Sequence, residues 1–267
     1  MRVQTEEWQR FIPGVRMYKG KKTLFYNGEV LFDENTGQFL IYDQRERWSW
    51  EVIIVLPGVE VIPFHTFEWC SGLKRVIMAD SVRILGNRCF FNCWELAFVK
   101  LSRNLEQIVN GAFFNCAFTS IFIPPSCQEI CHQAFVGCKK LIILSVPRHA
   151  RLGGKVITDT KLIEESPFET NNAGHLQNTN EAEDLRHWIK NVNGTNEEEF
   201  ALHCACSSFT PLEDTIHAIV KRQGLSSLHR PNRIGVTPLQ YLEENPHSEI
   251  KEQKLINRYV LDMMGEI

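Results

Sequence analysis

Nine cysteines and nine histidines are the residues of this chain with most chemistry to offer. Cys127, Cys131, His132 and Cys138 lie close enough in sequence to suggest zinc. Structural zinc needs four converging ligands, commonly two close-spaced pairs. Here Cys127 takes a place that is aliphatic in equivalent stretches, and Cys138 belongs to a regular cysteine series described below. Both act better as small hydrophobes. His203-Cys204-Ala205-Cys206 has no second pair downstream. A nucleophilic cysteine needs a histidine and an exposed, electropositive setting, and no signature for one occurs. Gly153-Gly154-Lys155-Val156 lacks the preceding loop and the Ser/Thr of a phosphate-binding motif. Nucleophile-elbow, zinc-protease and dinucleotide fingerprints are absent as well. The expectation is a non-enzyme with no catalytic residues, no metal, no cofactor and no small-molecule substrate. The rival is an enzyme with an unrecognised Cys/His site.

Charge narrows the partners. The 267 residues carry 29 Lys+Arg and 32 Asp+Glu, a net −3. Residues 1–150 hold 17 basic and 14 acidic side chains, and residues 151–267 hold 12 and 18. An acidic second half argues against nucleic acid. The longest aliphatic run, Val52–Leu56, is strand length, and no apolar stretch follows the basic start. No membrane association is expected. The reading is cytoplasmic, with thiols reduced. The sequon Asn193-Gly194-Thr195 would then go unused.

What positions these residues is an internal repeat. Cys70, Cys93, Cys116 and Cys138 are spaced 23, 23 and 22. Each follows a phenylalanine by three: Phe67, Phe90, Phe113 and Phe135. Ile62, Leu85, Ile108 and Ile130 precede these rings by five, and Val59, Val82, Leu105 and Cys127 by eight. After each cysteine come Leu73, Leu96, Phe118 or Leu141, then alternating pairs. The pairs are Val76/Met78, Val99/Leu101, Ile121/Ile123 and Leu144/Val146, with Ile54/Leu56 opening the series. Each pair predicts a short strand with its period-2 face inward. The Ala-Phe element predicts a tight helical or 3₁₀ turn opposite, ended by Asn92, Asn115 or Gly137. Trp69 holds that place in the first copy, so the first rung should differ. Rungs of this length cannot bury their apolar faces alone and must stack.

The pattern in Ile108–Phe118 and Ile130–Pro147 resembles the BspA-type leucine-rich repeat. Glu7–Val15 and Gly20–Gly28 resemble the N-terminal part of a large diatom family of such proteins. Gly235-Val236-Thr237-Pro238-Leu239 is similar to an ankyrin repeat start, and Ala201–Cys206 resembles the matching stretch one unit earlier. The resemblance implies an α/β fold: a short solenoid of 22–23-residue rungs with an N-terminal β cap and a small α-helical C-terminal domain. It also implies a protein-interaction or surface-adhesion role.

The expected layout is a β cap over 1–51 and the solenoid over 52–165. A linker over 166–183 and a helical, ankyrin-like domain over 184–267 follow. Strands are expected at Thr23–Tyr26, Glu29–Phe32 and Phe39–Tyr42, and Trp48 and Trp50 should be cap core. Helical periodicity runs through Leu185–Val192, Leu212–Val220 and Leu255–Met263. Side chains flanking the inward pairs should face outward. They are Ile53, Val55, Arg75, Ile77, Phe98, Lys100, Ser120, Phe122, Ile143 and Ser145. This apolar exterior is the expected binding surface for another protein, with the chain acting as an intracellular scaffold.

Overall fold

The computed structural model describes residues 23–26, 31–33, 39–40, 50–147, 149–157, 201–232 and 235–265. The linker expected over 166–183, the Leu185–Val192 helix, Trp48 and the sequon lie outside them. The chain divides into two compact units. The first spans 1–119, 124–141 and 146–182; the second spans 120–123, 142–145 and 183–267.

Every rung contributes two strands to parallel ladders. The longer are β4 (Val52–Val55), β6 (Arg75–Met78), β8 (Phe98–Lys100), β10 (Ser120–Phe122) and β12 (Ile143–Ser145). The shorter are β5 (Val61–Ile62), β7 (Ile84–Leu85), β9 (Gln107–Ile108), β11 (Glu129–Ile130) and β13 (Arg151–Leu152). In the first unit β1 (Thr23–Tyr26), β2 (Leu31–Asp33) and β3 (Phe39–Leu40) extend one sheet in the order β3-β2-β1-β4-β6-β8. Strand β1 runs parallel to β4, with Thr23 opposite Val52, and so covers the first rung's open edge. The two-residue strands form a second sheet, β13-β11-β9-β7-β5.

The interior repeats as the spacing predicts. Phe67, Phe90, Phe113 and Phe135 are fully buried. They stack with centroids 5.2, 5.4 and 5.8 Å apart. Ile62, Leu85, Ile108 and Ile130 are buried beside them, and Cys127 fills the aliphatic slot of Val59, Val82 and Leu105.

Two expectations are corrected. The Ala-Phe element makes tight turns but no continuous helix: its N–H groups alternate between i→i−3 bonds within the rung, such as Phe91 N to Arg88 O at 3.1 Å and Phe114 N to Gly111 O at 3.1 Å, and bonds to the next rung. Phe67 N donates to Cys89 O at 2.8 Å, Phe90 N to Ala112 O at 2.9 Å, and Phe113 N to Ala134 O at 2.9 Å. A continuous helix would use every N–H within the rung and leave the stack unlinked on that side. The second correction concerns the first long strand, where Ile53 pairs with Val76, and Val76 with Val99. Ile53 and Val55 therefore share the inward register. A one-residue slip exchanges the faces of a strand. Five consecutive aliphatics, Val52–Leu56, give no alternation to fix it. The described cap strands Leu31–Asp33 and Phe39–Leu40 overlap the expected Glu29–Phe32 and Phe39–Tyr42, whose residues 29–30 and 41–42 lie outside the described residues.

In the second unit β10 and β12 form their own parallel pair. With them fold α1 (Ala201–Cys206), α2 (Glu213–Gln223), α3 (Pro238–Glu244) and α4 (Glu252–Gly265). Thr237 caps α3: its hydroxyl accepts from Gln240 N, and the Gln240 side chain accepts from Thr237 N. Leu202, Cys206, Ile216, Val220, Tyr241, Leu242 and Leu255 make one core with Phe122 and Ile143. No described helix is long and apolar enough to cross a membrane.

Candidate interaction surface

The cysteines and histidines that the sequence singled out have structural surroundings among the described residues. Among the described residues no three His, Cys, Asp or Glu side chains gather as a metal site. The repeat cysteines instead tie rungs together. Cys93 Sγ donates to Phe67 O at 3.1 Å, Cys116 Sγ to Phe90 O at 3.3 Å and Cys138 Sγ to Phe113 O at 3.1 Å. Burial disfavours the thiolate, so Cys138 is pushed up to about 12 and Cys116 well above its ordinary value. Burial also pushes Cys127 up to about 11, and raises Cys131. Thiols this reluctant to ionise are poor nucleophiles and poor zinc ligands. On α1, His203 and Cys206 are buried while Cys204 is exposed, so the cluster splits between helix faces.

The sheet exterior is less open than expected. Ile53 and Val55 face the interior. Ile77 is buried with Phe25, Val52, Ile54 and Leu56, and half-buried Phe98 packs against this cluster. Phe122 and Ile143 are buried under the helices of the second unit. Arg75, Phe98, Lys100, Ser120 and Ser145 are half-buried. Arg75 lies over the Phe98 ring at 5.1 Å, and Ser120 Oγ donates to Glu244 at 3.0 Å. None of the ten is fully exposed. The physical reason is that amphipathic helices need an apolar partner, and the outer side of β10 and β12 supplies one.

Among the described residues of the first unit, the exposed aromatic surface lies elsewhere, on the turns. Each turn uses two left-handed residues, one at its start and one at its end. His65, Arg88, Gly111 and Gln133 start them, with φ of 58°, 54°, 59° and 57°. Trp69, Asn92, Asn115 and Gly137 end them, with φ of 62°, 59°, 55° and 73°. Asn and Gly accept this conformation readily, but a tryptophan there is strained by about 1–2 kcal/mol. Between these bends, Phe90 and Phe113 turn inward, while their neighbours Phe91 and Phe114 are only half-buried. Phe91 and Phe114 stack at 4.6 Å. Trp69 leans on Phe91 at 6.3 Å and meets Trp94 edge-on at 5.5 Å. Arg88 covers the Phe91 ring at 5.0 Å. Phe64, Trp69 and Trp94 are 71%, 48% and 53% exposed. Residues 64–94 thus present an aromatic ridge of hot-spot side-chain types, held by a backbone ladder. Sequence reasoning noted Trp69 only as an irregularity. The usable signal was the doubled phenylalanines: where the first ring is core, the second must leave it.

A match to the BspA-type leucine rich repeat region, in six copies, covers residues 60–177. The ridge is built on the first rungs of that region. The match does not reach the stretches likened to diatom proteins or to ankyrin. Among solved structures, a leucine-rich repeat protein of Bacteroides ovatus is 29% identical over 42% of this chain and 30% of its own, with a TM-score of 0.41. A leucine-rich repeat protein of T. pallidum is 17% identical over 46% and 86%, with a TM-score of 0.30. One from Eubacterium ventriosum is 16% identical over 41% and 29%, with a TM-score of 0.37. The chain therefore spans less than a third of the Bacteroides and Eubacterium proteins. No curated protein matches the chain.

Proposed function

We propose that this leucine-rich repeat protein is a non-catalytic binding module inside the cell that recognises another protein through the aromatic ridge. The observation that carries the reading is Trp69. It is half exposed and occupies a left-handed position where its counterparts are Asn, Asn and Gly. A residue kept at a cost to the fold, beside an exposed Trp94 and an Arg88-covered ring, is explained by contact with a partner. Large exposed apolar patches also mark interaction sites more often than bare surface. The intracellular part rests on the buried thiols of Cys93, Cys116 and Cys138, which donate to backbone carbonyls and suit a reducing compartment. The test is affinity capture from lysate of the producing organism. Wild-type chain, Trp69→Ala/Trp94→Ala and Arg75→Ala/Phe98→Ala are compared under equal loading. A partner retained by the wild type and by Arg75→Ala/Phe98→Ala, but lost with the tryptophans, supports the ridge. Loss only with Arg75→Ala/Phe98→Ala moves the site to the sheet exterior and refutes it.

A further inference from the structure

The ridge does not end in apolar surface. Its register continues into a cluster of cations. Ser71 N bonds to Trp69 O at 2.8 Å, and Lys139 N bonds to Gly137 O at 2.9 Å. These matching bonds set Lys139 in the register position of Ser71, and the 23- and 22-residue spacing puts Trp94 in the same column. Lys139 and its neighbour Lys140 are both exposed, as is Arg88 at the start of the second turn. Among the described turn residues of the first unit stand the cations Arg88, Arg103, Lys139, Lys140 and Lys155 and the carboxylates Glu68, Asp80 and Glu95, with Arg103 paired to Asp80. Glu68 is already engaged by His65 Nδ1 at 2.5 Å. This local positive bias follows the sign of residues 1–150, which hold 17 basic and 14 acidic side chains. The rings do not make a flat platform, because Trp69 and Trp94 meet at 83°. They make a notch suited to a side chain rather than to a stacked row of bases or sugars.

We propose that the ridge binds an extended acidic peptide segment, its apolar anchor in the notch of Trp69, Phe91 and Trp94 and its carboxylates over Lys139 and Lys140. Trp94 and Lys139 are two rungs apart, about 10 Å at the usual strand spacing. An extended peptide advances about 3.3 Å per residue, so anchor and acidic pair stand about three residues apart in the partner. Arg88, on the Phe91 face, meets a carboxylate nearer the anchor. The inference rests on the ridge being the binding surface and adds the partner's chemistry.

The test uses the full chain and fluorescently labelled ten-residue peptides, read by anisotropy. One peptide carries two leucines and, three residues on, two glutamates; a second replaces the glutamates with lysines; a third replaces the leucines with serines. An oligothymidylate is the fourth probe. The acidic-leucine peptide should bind saturably and at least about tenfold more tightly than the other two peptides. Lys139→Glu/Lys140→Glu and Trp94→Ala should each weaken it about tenfold while circular dichroism stays unchanged. Equal or tighter binding of the lysine peptide overturns the inference. So does an affinity unmoved by Lys139→Glu/Lys140→Glu, or binding of the oligothymidylate alone. If no peptide binds while Trp69→Ala/Trp94→Ala still abolishes lysate capture, the acidic-peptide inference falls and the ridge reading survives.

Discussion

Replacing Phe113 with alanine should separate the part of the repeat that builds the fold from the part that faces outward. Phe113 is fully buried. Its ring stacks on Phe90 at 5.4 Å and Phe135 at 5.8 Å, and Phe118 meets it edge-on at 5.7 Å. Truncating a buried phenylalanine costs about 3–5 kcal/mol, more where the cavity cannot collapse. Collapse is resisted here. Phe113 N is held to Ala134 O and Phe90 N to Ala112 O, both at 2.9 Å, so the rungs keep their spacing around the hole. The expected loss is about 4–5 kcal/mol, a large share of the roughly 5–15 kcal/mol that holds a domain together. Phe114 is the adjacent residue and the proper control. It is half-buried and stacks on Phe91, so Phe114→Ala should cost about 1 kcal/mol. Urea melts followed by circular dichroism give both values. Equal losses for the two variants, or a loss near 1 kcal/mol for Phe113→Ala, would refute the inward-outward assignment of the doubled phenylalanines.

Two further predictions concern the backbone and the thiols. A methyl group on Gly86 would lie 2.6 Å from Ile62 O and 2.7 Å from Phe64 N, backbone atoms of the preceding rung. Gly86→Ala should therefore cost about 3 kcal/mol, whereas Gly58→Ala, with φ of +95° and open space, should cost about 1 kcal/mol. Similar melting temperatures for the two variants would contradict the close rung contact. Cys138 is pushed up to about 12 from an ordinary 9.0, so the unfolded chain releases that proton first as pH rises. The associated stability is complete below pH 9 and lost between 9 and about 12. Urea midpoints should fall over that window, and less steeply in Cys138→Ala; identical slopes would count against a buried thiol.

How much of this was legible in the sequence depended on how often each signal repeated. The core phenylalanines and the cysteines recur at 22–23 residues, so four copies reinforced one another and gave the rung's contents. The short strands such as Val61–Ile62 have a single inward residue each, too little for an alternation to show. The run Val52–Leu56 is aliphatic throughout, and only pairing of Ile53 with Val76 decides its faces. The sheet exterior was misjudged for a different reason. Phe122 and Ile143 are apolar because helices more than fifty residues downstream cover them, a contact no local pattern encodes. Trp69, Phe91 and Trp94 occupy three different register columns, so the ridge leaves no repeated trace in the sequence. It emerges only when the turns bring these columns side by side.

The central claim is that a protein partner contacts the aromatic ridge rather than the sheet exterior. Site-specific photo-crosslinking tests it most directly. A benzophenone amino acid placed at position 94 sits among exposed rings, and one at position 100 sits on the outer side of β8. On irradiation in lysate of the producing organism, position 94 should yield a discrete adduct that disappears when Trp69→Ala is added, while position 100 yields none. A specific adduct from position 100 with none from position 94 would contradict the account.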